Sequence, residues 1–326
     1  MTHTTRRSAL LATAGALAIP ALARAQAVPW PTRPVRIIVP FGAGGSADLA
    51  ARVVGEALGQ SLGQPFVVEN RPGGGAVIGT DAAAKAPPDG YTLLMMSNTH
   101  TANETLIRNR PYELMRDLSA AAAINVAHHV MAVHPSVPAT TVAEYIALVK
   151  SRPGAMDYAS SGPGTPYHIA GEVFRAMAGI EIQHVPFRSS GEARTAVISN
   201  TVPMMFDAIP TMQPHIAAGR VRALATTGPQ RDALLPDLPT VAEAALPGYE
   251  ASIWLGLMVP AGTPRPIVER LHGAVNTWLG QPATRATMAQ QGAAPMPMGV
   301  GEFDAFLRRD VATQRDYIRM ARIEVN

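Results

Sequence analysis

The chain of 326 residues carries 27 basic and 24 acidic side chains, no cysteine, and an apolar fraction of 47%. The lack of cysteine excludes disulfides, thiolate metal sites and a cysteine nucleophile. The balanced charge, with no basic cluster interleaved with aromatics, argues against nucleic acid as a partner. The length is ample for two ordinary domains, each with its own core.

At the N-terminus, Thr5-Arg6-Arg7-Ser8 precedes an apolar run from Ala9 to Leu22 and the small residues Ala23-Arg24-Ala25-Gln26-Ala27. This pattern predicts an export signal over residues 1–27, of the twin-arginine kind, cut near Ala27, and hence an exported protein. The run is shorter than the roughly 20 residues a membrane span needs, and no later stretch is long and apolar enough to cross a bilayer. Removing the signal takes away Arg6, Arg7 and Arg24, which leaves a neutral mature chain with 24 basic and 24 acidic residues.

After a proline-punctuated lead-in, Val35-Arg36-Ile37-Ile38-Val39 reads as a strand that Pro40 ends. Phe41-Gly42-Ala43-Gly44-Gly45 is a loop, and a helix starts at Ser46 with Leu49, Val53, Val54, Ala57, Leu58 and Leu62 on its inward face. The glycines leave backbone N–H groups uncovered where the helix dipole is positive, so the turn suits an anion. The spacing of Gly42, Gly44 and Ala47, with Glu69 closing the next strand, also fits a loose dinucleotide fingerprint, although Phe41 would crowd a pyrophosphate.

Phe66 to Glu69 forms a second strand, Asn70 to Gly75 a turn, Val77 to Ala86 a small-residue helix, and Tyr91 to Met96 a third strand. Strands joined by helices imply a parallel sheet. Ser97, Asn98 and Thr99 follow at the carboxyl end of the third strand, either as ligand contacts or as solvated loop residues. The apolar stretch Ala120 to Val133 is long enough to pass between domains, and His128-His129 within it read as hinge or surface residues. Thr141 and Glu144 form a capping box for a helix from Val142 to Ser151.

A second strand-loop-helix unit then follows: Asp157 to Ala159, the loop Ser160-Ser161-Gly162-Pro163-Gly164-Thr165, and a helix from Tyr167 to Met177. Two such units, one per domain, would let a clamp hold a ligand between helix N-termini. Ser160, Ser161 and His168 add polar arms, and Thr165 suits an N-cap. Asp207 ends a later strand, where it could hold a ligand or cap the next helix. Near Pro229 the chain crosses back. The organisation expected is one lobe from residues 28–124 plus 228–326 and a second from 125–227, with the last two helices completing the first.

The chain resembles the substrate-binding proteins of tripartite tricarboxylate transporters, the Bug type. The resemblance rests on Ile38-Val39-Pro40-Phe41 with Gly44-Gly45 and Asp48, Val68-Glu69-Asn70-Arg71-Pro72-Gly73 and Pro88-Asp89-Gly90-Tyr91-Thr92-Leu93. Further matches are Tyr158-Ala159-Ser160 with His168, Met204-Met205-Phe206-Asp207, Leu238-Pro239-Thr240-Val241-Ala242-Glu243 and Pro260-Ala261-Gly262-Thr263-Pro264. It implies an α/β periplasmic binding protein of type II, with two lobes, each a mostly parallel sheet flanked by helices, and a ligand cleft between them.

The implied ligand is a small carboxylate: a di- or tricarboxylate, an acidic amino acid or an aromatic acid. No cofactor and no catalysis are implied. A monomer is expected to deliver the ligand to a membrane permease or a sensor. By position, one jaw comprises Phe41, Gly42, Gly45, Ser46 and Asp48, the other Ser160, Ser161, Gly162, Thr165 and His168, with Asp207 beside them. Backbone N–H groups read a carboxylate and leave the rest to cleft shape. Ala43, Ser189-Ser190 and Asn200 depart from the family pattern. Two other readings are an exported nicotinamide-dependent oxidoreductase and a serine hydrolase using Ser160 or Ser161 with His168 and Asp207, the latter without a Gly-x-Ser-x-Gly elbow.

Overall fold

Val35, Ile37, Ile38 and Val39 are fully buried in strand β1 (Val35–Val39), as a strand between parallel neighbours requires. The computed structural model describes residues 30–324; the expected export signal and its cleavage site lie outside them. Along the chain follow α1 (Ser46–Leu62), β2 (Phe66–Asn70), α2 (Val77–Ala84), β3 (Thr92–Ser97), α3 (Asn98–Leu106), α4 (Leu114–Asp117) and β4 (Leu118–Val133). Next come α5 (Val142–Ser151), β5 (Asp157–Ser160), α6 (Pro166–Ala178), β6 (Gln183–Pro186), α7 (Ser190–Ile198), β7 (Met204–Ala208), α8 (Ile209–Ala217) and β8 (Arg222–Thr226). The last elements are α9 (Val241–Ala244), β9 (Ser252–Pro260), α10 (Arg265–Gly280), α11 (Pro282–Gln290), β10 (Ala293–Pro295) and α12 (Val300–Ala321).

Two parallel triplets, β2-β1-β3 and β7-β5-β6, are joined through the antiparallel strands β9 and β4. Each triplet is the sheet of one lobe. Strand β4 has 16 residues and, at about 3.3 Å per residue, runs some 50 Å, far enough to serve both lobes. It pairs with β9 from Leu118 to His128 and with β7 from His129 to Val133. The two histidines therefore mark the hand-over between lobes. The surface reading fails for His129, which is fully buried against Tyr167 with ring centroids 5.0 Å apart. Burial pushes it down to about 3, so it is neutral.

In the first lobe Ile38, Leu94, Met258, Trp254, Phe303 and Leu307 share a core. In the second, Tyr158, Phe174, Phe206 and Tyr249 pack on one face of the sheet and Ala159, Val197, Met205 and Ile209 on the other. Helices thus cover both sides. Helix α12 was expected to complete the first lobe alone, but it serves both: Phe303 and Leu307 join the first core, Ile318 and Ala321 the second.

Helix α1 also differs from expectation. It buries Ala47, Ala51, Val54 and Leu58, whereas Leu49 and Val53 are 46% and 49% exposed. At about 3.6 residues per turn those two fall on the opposite side of the helix from Ala47 and Ala51.

Candidate functional site

The first jaw is a loop folded on itself. Gly44 adopts a left-handed φ of +78°, which glycine reaches without strain, and its N–H donates to Asp48 Oδ2 at 3.0 Å. Arg52 holds the same carboxylate, Nη2 to Oδ1 at 2.9 Å and Nε to Oδ2 at 3.2 Å. Burial raises the Asp48 carboxyl, but Arg52, the Gly44 N–H and Asn70 outweigh it and hold it below the usual range. Asp48 is therefore an organiser of the loop, already fully engaged. Asn70 Nδ2 ties down the Phe41 carbonyl at 3.1 Å. Gly45 caps α1 without a side-chain bond, so the first N–H groups of this helix are free to meet an anion.

The second jaw is built the same way from different residues. Ser160 Oγ accepts from the Gly162 N–H at 3.0 Å and lies 2.6 Å from His184 Nε2. Thr165 caps α6 and donates to the Gly162 carbonyl at 2.7 Å. His168 Nδ1 accepts from the Gly164 N–H at 3.1 Å, and its ring packs 4.2 Å from that of His184. Burial pushes His168 down to about 4 and His184 to about 3. Both are neutral rings that shape the loop.

The jaws meet tightly. A Cβ on Gly42 would stand 2.7 Å from Ser189 Cβ, and one on Gly45 would stand 3.0 Å from Ser190 Oγ. Ser46 Oγ lies 3.0 Å from Tyr167 Oη, linking the first turns of α1 and α6. Between them is a cavity lined by Phe41, Gly42, Gly45, Ser46, Ser97, Ser161, Thr165, Tyr167, Ser189 and Ser190. These residues belong to the N-terminal ends of four helices, α1, α3, α6 and α7, whose partial positive charges converge there. On the other side of Phe41, Ser161 and Thr165 the cleft widens into a mouth that also takes in Gly73, Gly74, Gly75, Gly162, Phe187 and Arg188.

The structure thus brings Phe41, Gly42, Gly45, Ser46, Ser97, Ser161, Gly162 and Thr165 to the cleft. The other expected site residues line neither cavity. Ser97 is the N-cap of α3, so Ser97, Asn98 and Thr99 are a buried strand-to-helix junction and not a solvated loop. Asn98 donates from Nδ2 to the Ser252 carbonyl at 2.8 Å, and Thr99 is fully buried. Ser160 and His168 hold the second jaw, as described. Asp207 is fully buried with Oδ2 2.8 Å from Arg194 Nε and Oδ1 accepting the Ala208 N–H at 2.9 Å.

Sequence reasoning missed Arg194, Tyr167, Ser189 and Ser190 as part of this region. The Ser189-Ser190 pair at a helix start was the available signal. It also treated the Gly73-Gly74-Gly75 turn as a connection only. The dinucleotide reading loses its acid, because Glu69 pairs with Arg36 and Arg71. The hydrolase reading loses its triad, because Ser160 pairs with His184, His168 with the Gly164 N–H and Asp207 with Arg194.

Two lobes, each a parallel triplet flanked by helices, with a cleft walled by helix N-termini, define a periplasmic binding protein of type II. The sequence model of the tripartite tricarboxylate transporter family receptor matches residues 50–322, and the chain belongs to that family. It is similar to BugT of Bordetella pertussis, with 36% identity over 269 residues, 82% of each chain. The solved structure of R. palustris Rpa4515 with adipate superposes with a TM-score of 0.89 at 32% identity, covering 91% of this chain and 100% of that one. MatC from Rhodopseudomonas palustris with bound malate gives 0.84 at 29%, covering 89% and 100%.

Proposed function

We propose that the protein captures a small carboxylate in the periplasm and delivers it to the membrane permease of a tripartite transporter, without chemical change to the ligand. The observation that carries this is the convergence of four helix N-termini on one cavity. Such a site stabilises negative charge with fixed dipoles and needs no cation in the loops. Arg194, the buried arginine nearby among the described residues, is paired through Nε with Asp207. The adipate in Rpa4515 and the malate in MatC support the same class of ligand.

In this reading Phe41, Gly42, Gly45, Ser46, Ser97, Ser161, Gly162 and Thr165 touch the ligand, while Asp48, Ser160, His168 and Asp207 hold the jaws. The lobes are residues 28–124 plus 228–326 and 125–227, except that the end of α12 packs on the second. Closure about β4 and β9 buries the acid. The signal of residues 1–27 exports the chain, which works as a monomer; a sensor is the alternative recipient.

The test is a thermal-shift and calorimetric screen of residues 28–326 against carboxylic acids and nicotinamide dinucleotides. A ligand at about 100 times its Kd adds roughly 2.7 kcal/mol of stability. Stabilisation by acids is the expected result; a response to dinucleotides alone would overturn the reading.

A further inference from the structure

Helix α1 carries a stripe that its own core does not use. Ser46, Leu49, Ala50 and Val53 follow one another at helical spacing, starting at the N-terminus that faces the anion cavity and running down the side opposite the core. This stripe is one wall of a groove open to solvent. Its floor comes from the shared strands, including Ile253 of β9, and its far wall includes Trp278 of α10 and Met288 of α11. The second lobe adds Thr211 of α8.

Two features connect this groove to the carboxylate site. Ser46 and Ile253 line both spaces, so the groove adjoins the anion cavity. Its lining comes from the first lobe, from the strands between the lobes and, through Pro210 and Thr211, from the second lobe. Its chemistry is different. The charged residue lining it is Arg52, whose guanidinium is already taken by Asp48. A second carboxylate placed there would meet only a guanidinium already paired with Asp48, and would face an otherwise uncharged lining. An apolar group would cover Leu49 and Val53, which the fold leaves about half exposed.

We infer that the groove receives the apolar body of the ligand, so that the preferred ligands are acids with one ionised head and an aromatic or aliphatic body, in preference to compact di- and tricarboxylates. The inference rests on the carboxylate-capture reading and narrows it. The carboxylate sits at the helix N-termini beside Ser46, and the body runs along Leu49, Ala50 and Val53.

The experiment is titration calorimetry of residues 28–326 with malate, adipate, 3-phenylpropanoate and octanoate. Each is repeated on Leu49→Gln and Val53→Gln, exposed positions where glutamine keeps the helix. The expected result is tightest binding of the last two acids, and a loss of about tenfold for those acids alone in each variant. Tighter binding of malate or adipate, or variants that weaken all acids equally or none, would overturn the inference while leaving carboxylate capture intact. Binding of no acid at all would remove both.

Discussion

Ser46 and Tyr167 lie 121 positions apart, yet their hydroxyls are 3.0 Å from each other, joining the first turns of α1 and α6 across the cleft. Each hydroxyl is placed by a helix whose start is set by its own loop, Gly45 on one side and Thr165 on the other. In the proposed capture cycle a bond that links the two jaws in this way acts on the lifetime of the closed state.

Tyr167→Phe removes that bond and keeps the ring that packs on His129. A net hydrogen bond is worth about 0.5–1.5 kcal/mol, so affinity for the carboxylate should fall about two- to tenfold. The loss should lie in faster dissociation, with thermal stability of the unliganded protein changed little. Stopped-flow release of ligand from the two proteins checks this.

Gly42 tests closure by bulk. An alanine Cβ would stand 2.7 Å from Ser189 Cβ and 3.3 Å from the Arg188 carbonyl oxygen, both in the facing lobe. Crowding of this kind costs about 1–3 kcal/mol, and it falls on the form in which the two jaws touch. Gly42→Ala should weaken binding by about fivefold to a hundredfold without lowering the melting temperature of the unliganded protein. Small-angle scattering with and without ligand would read the failure to close.

The buried pair Arg194 and Asp207 separates structure from binding. Removing one partner of a buried ion pair costs about 3–5 kcal/mol, because the other is left uncompensated. Asp207→Ala should therefore lower the melting temperature sharply, whereas Asp207→Ala with Arg194→Met should regain much of the loss. Chemical denaturation of the three proteins gives the comparison.

The sequence carried the loops, the parallel sheets and the crossing strand, because glycine clusters, β-branched runs and proline stops are local signals. It did not carry α3, whose Asn98-Thr-His-Thr-Ala-Asn-Glu sequence has no apolar period and depends on Ser97 and His100 for its start. Nor could it assign partners to polar residues. Asp207 and His168 look like ligand donors until Arg194 and the Gly164 N–H are seen to occupy them. Leu49 and Val53 belong to the apolar pattern of α1, but only the fold shows that their side of the helix meets a groove instead of a core.

Stability should depend on pH through the buried His100, His129 and His168 and the half-buried His184. Burial pushes His100 and His168 down to about 4, and His129 and His184 to about 3, from an ordinary value of 6.5. Between pH 6.5 and the folded values, the unfolded chain binds protons on these rings and the folded chain does not. Stability therefore falls as the pH falls through that window, by about 1.4 kcal/mol per pH unit for each ring. The buried Asp207 and the half-buried Asp310, both raised by desolvation, work in the opposite sense at the acid end of the window. Substitution isolates the histidine contribution. His129 has no hydrogen-bond partner at either ring nitrogen among the described residues, and its ring packs on Tyr167. His129→Phe should keep the packing and remove one titrating group, so its denaturation midpoint should decline less steeply than that of the parent between pH 6.5 and 5. Equal slopes for the two proteins would mean that His129 is protonated in the folded state.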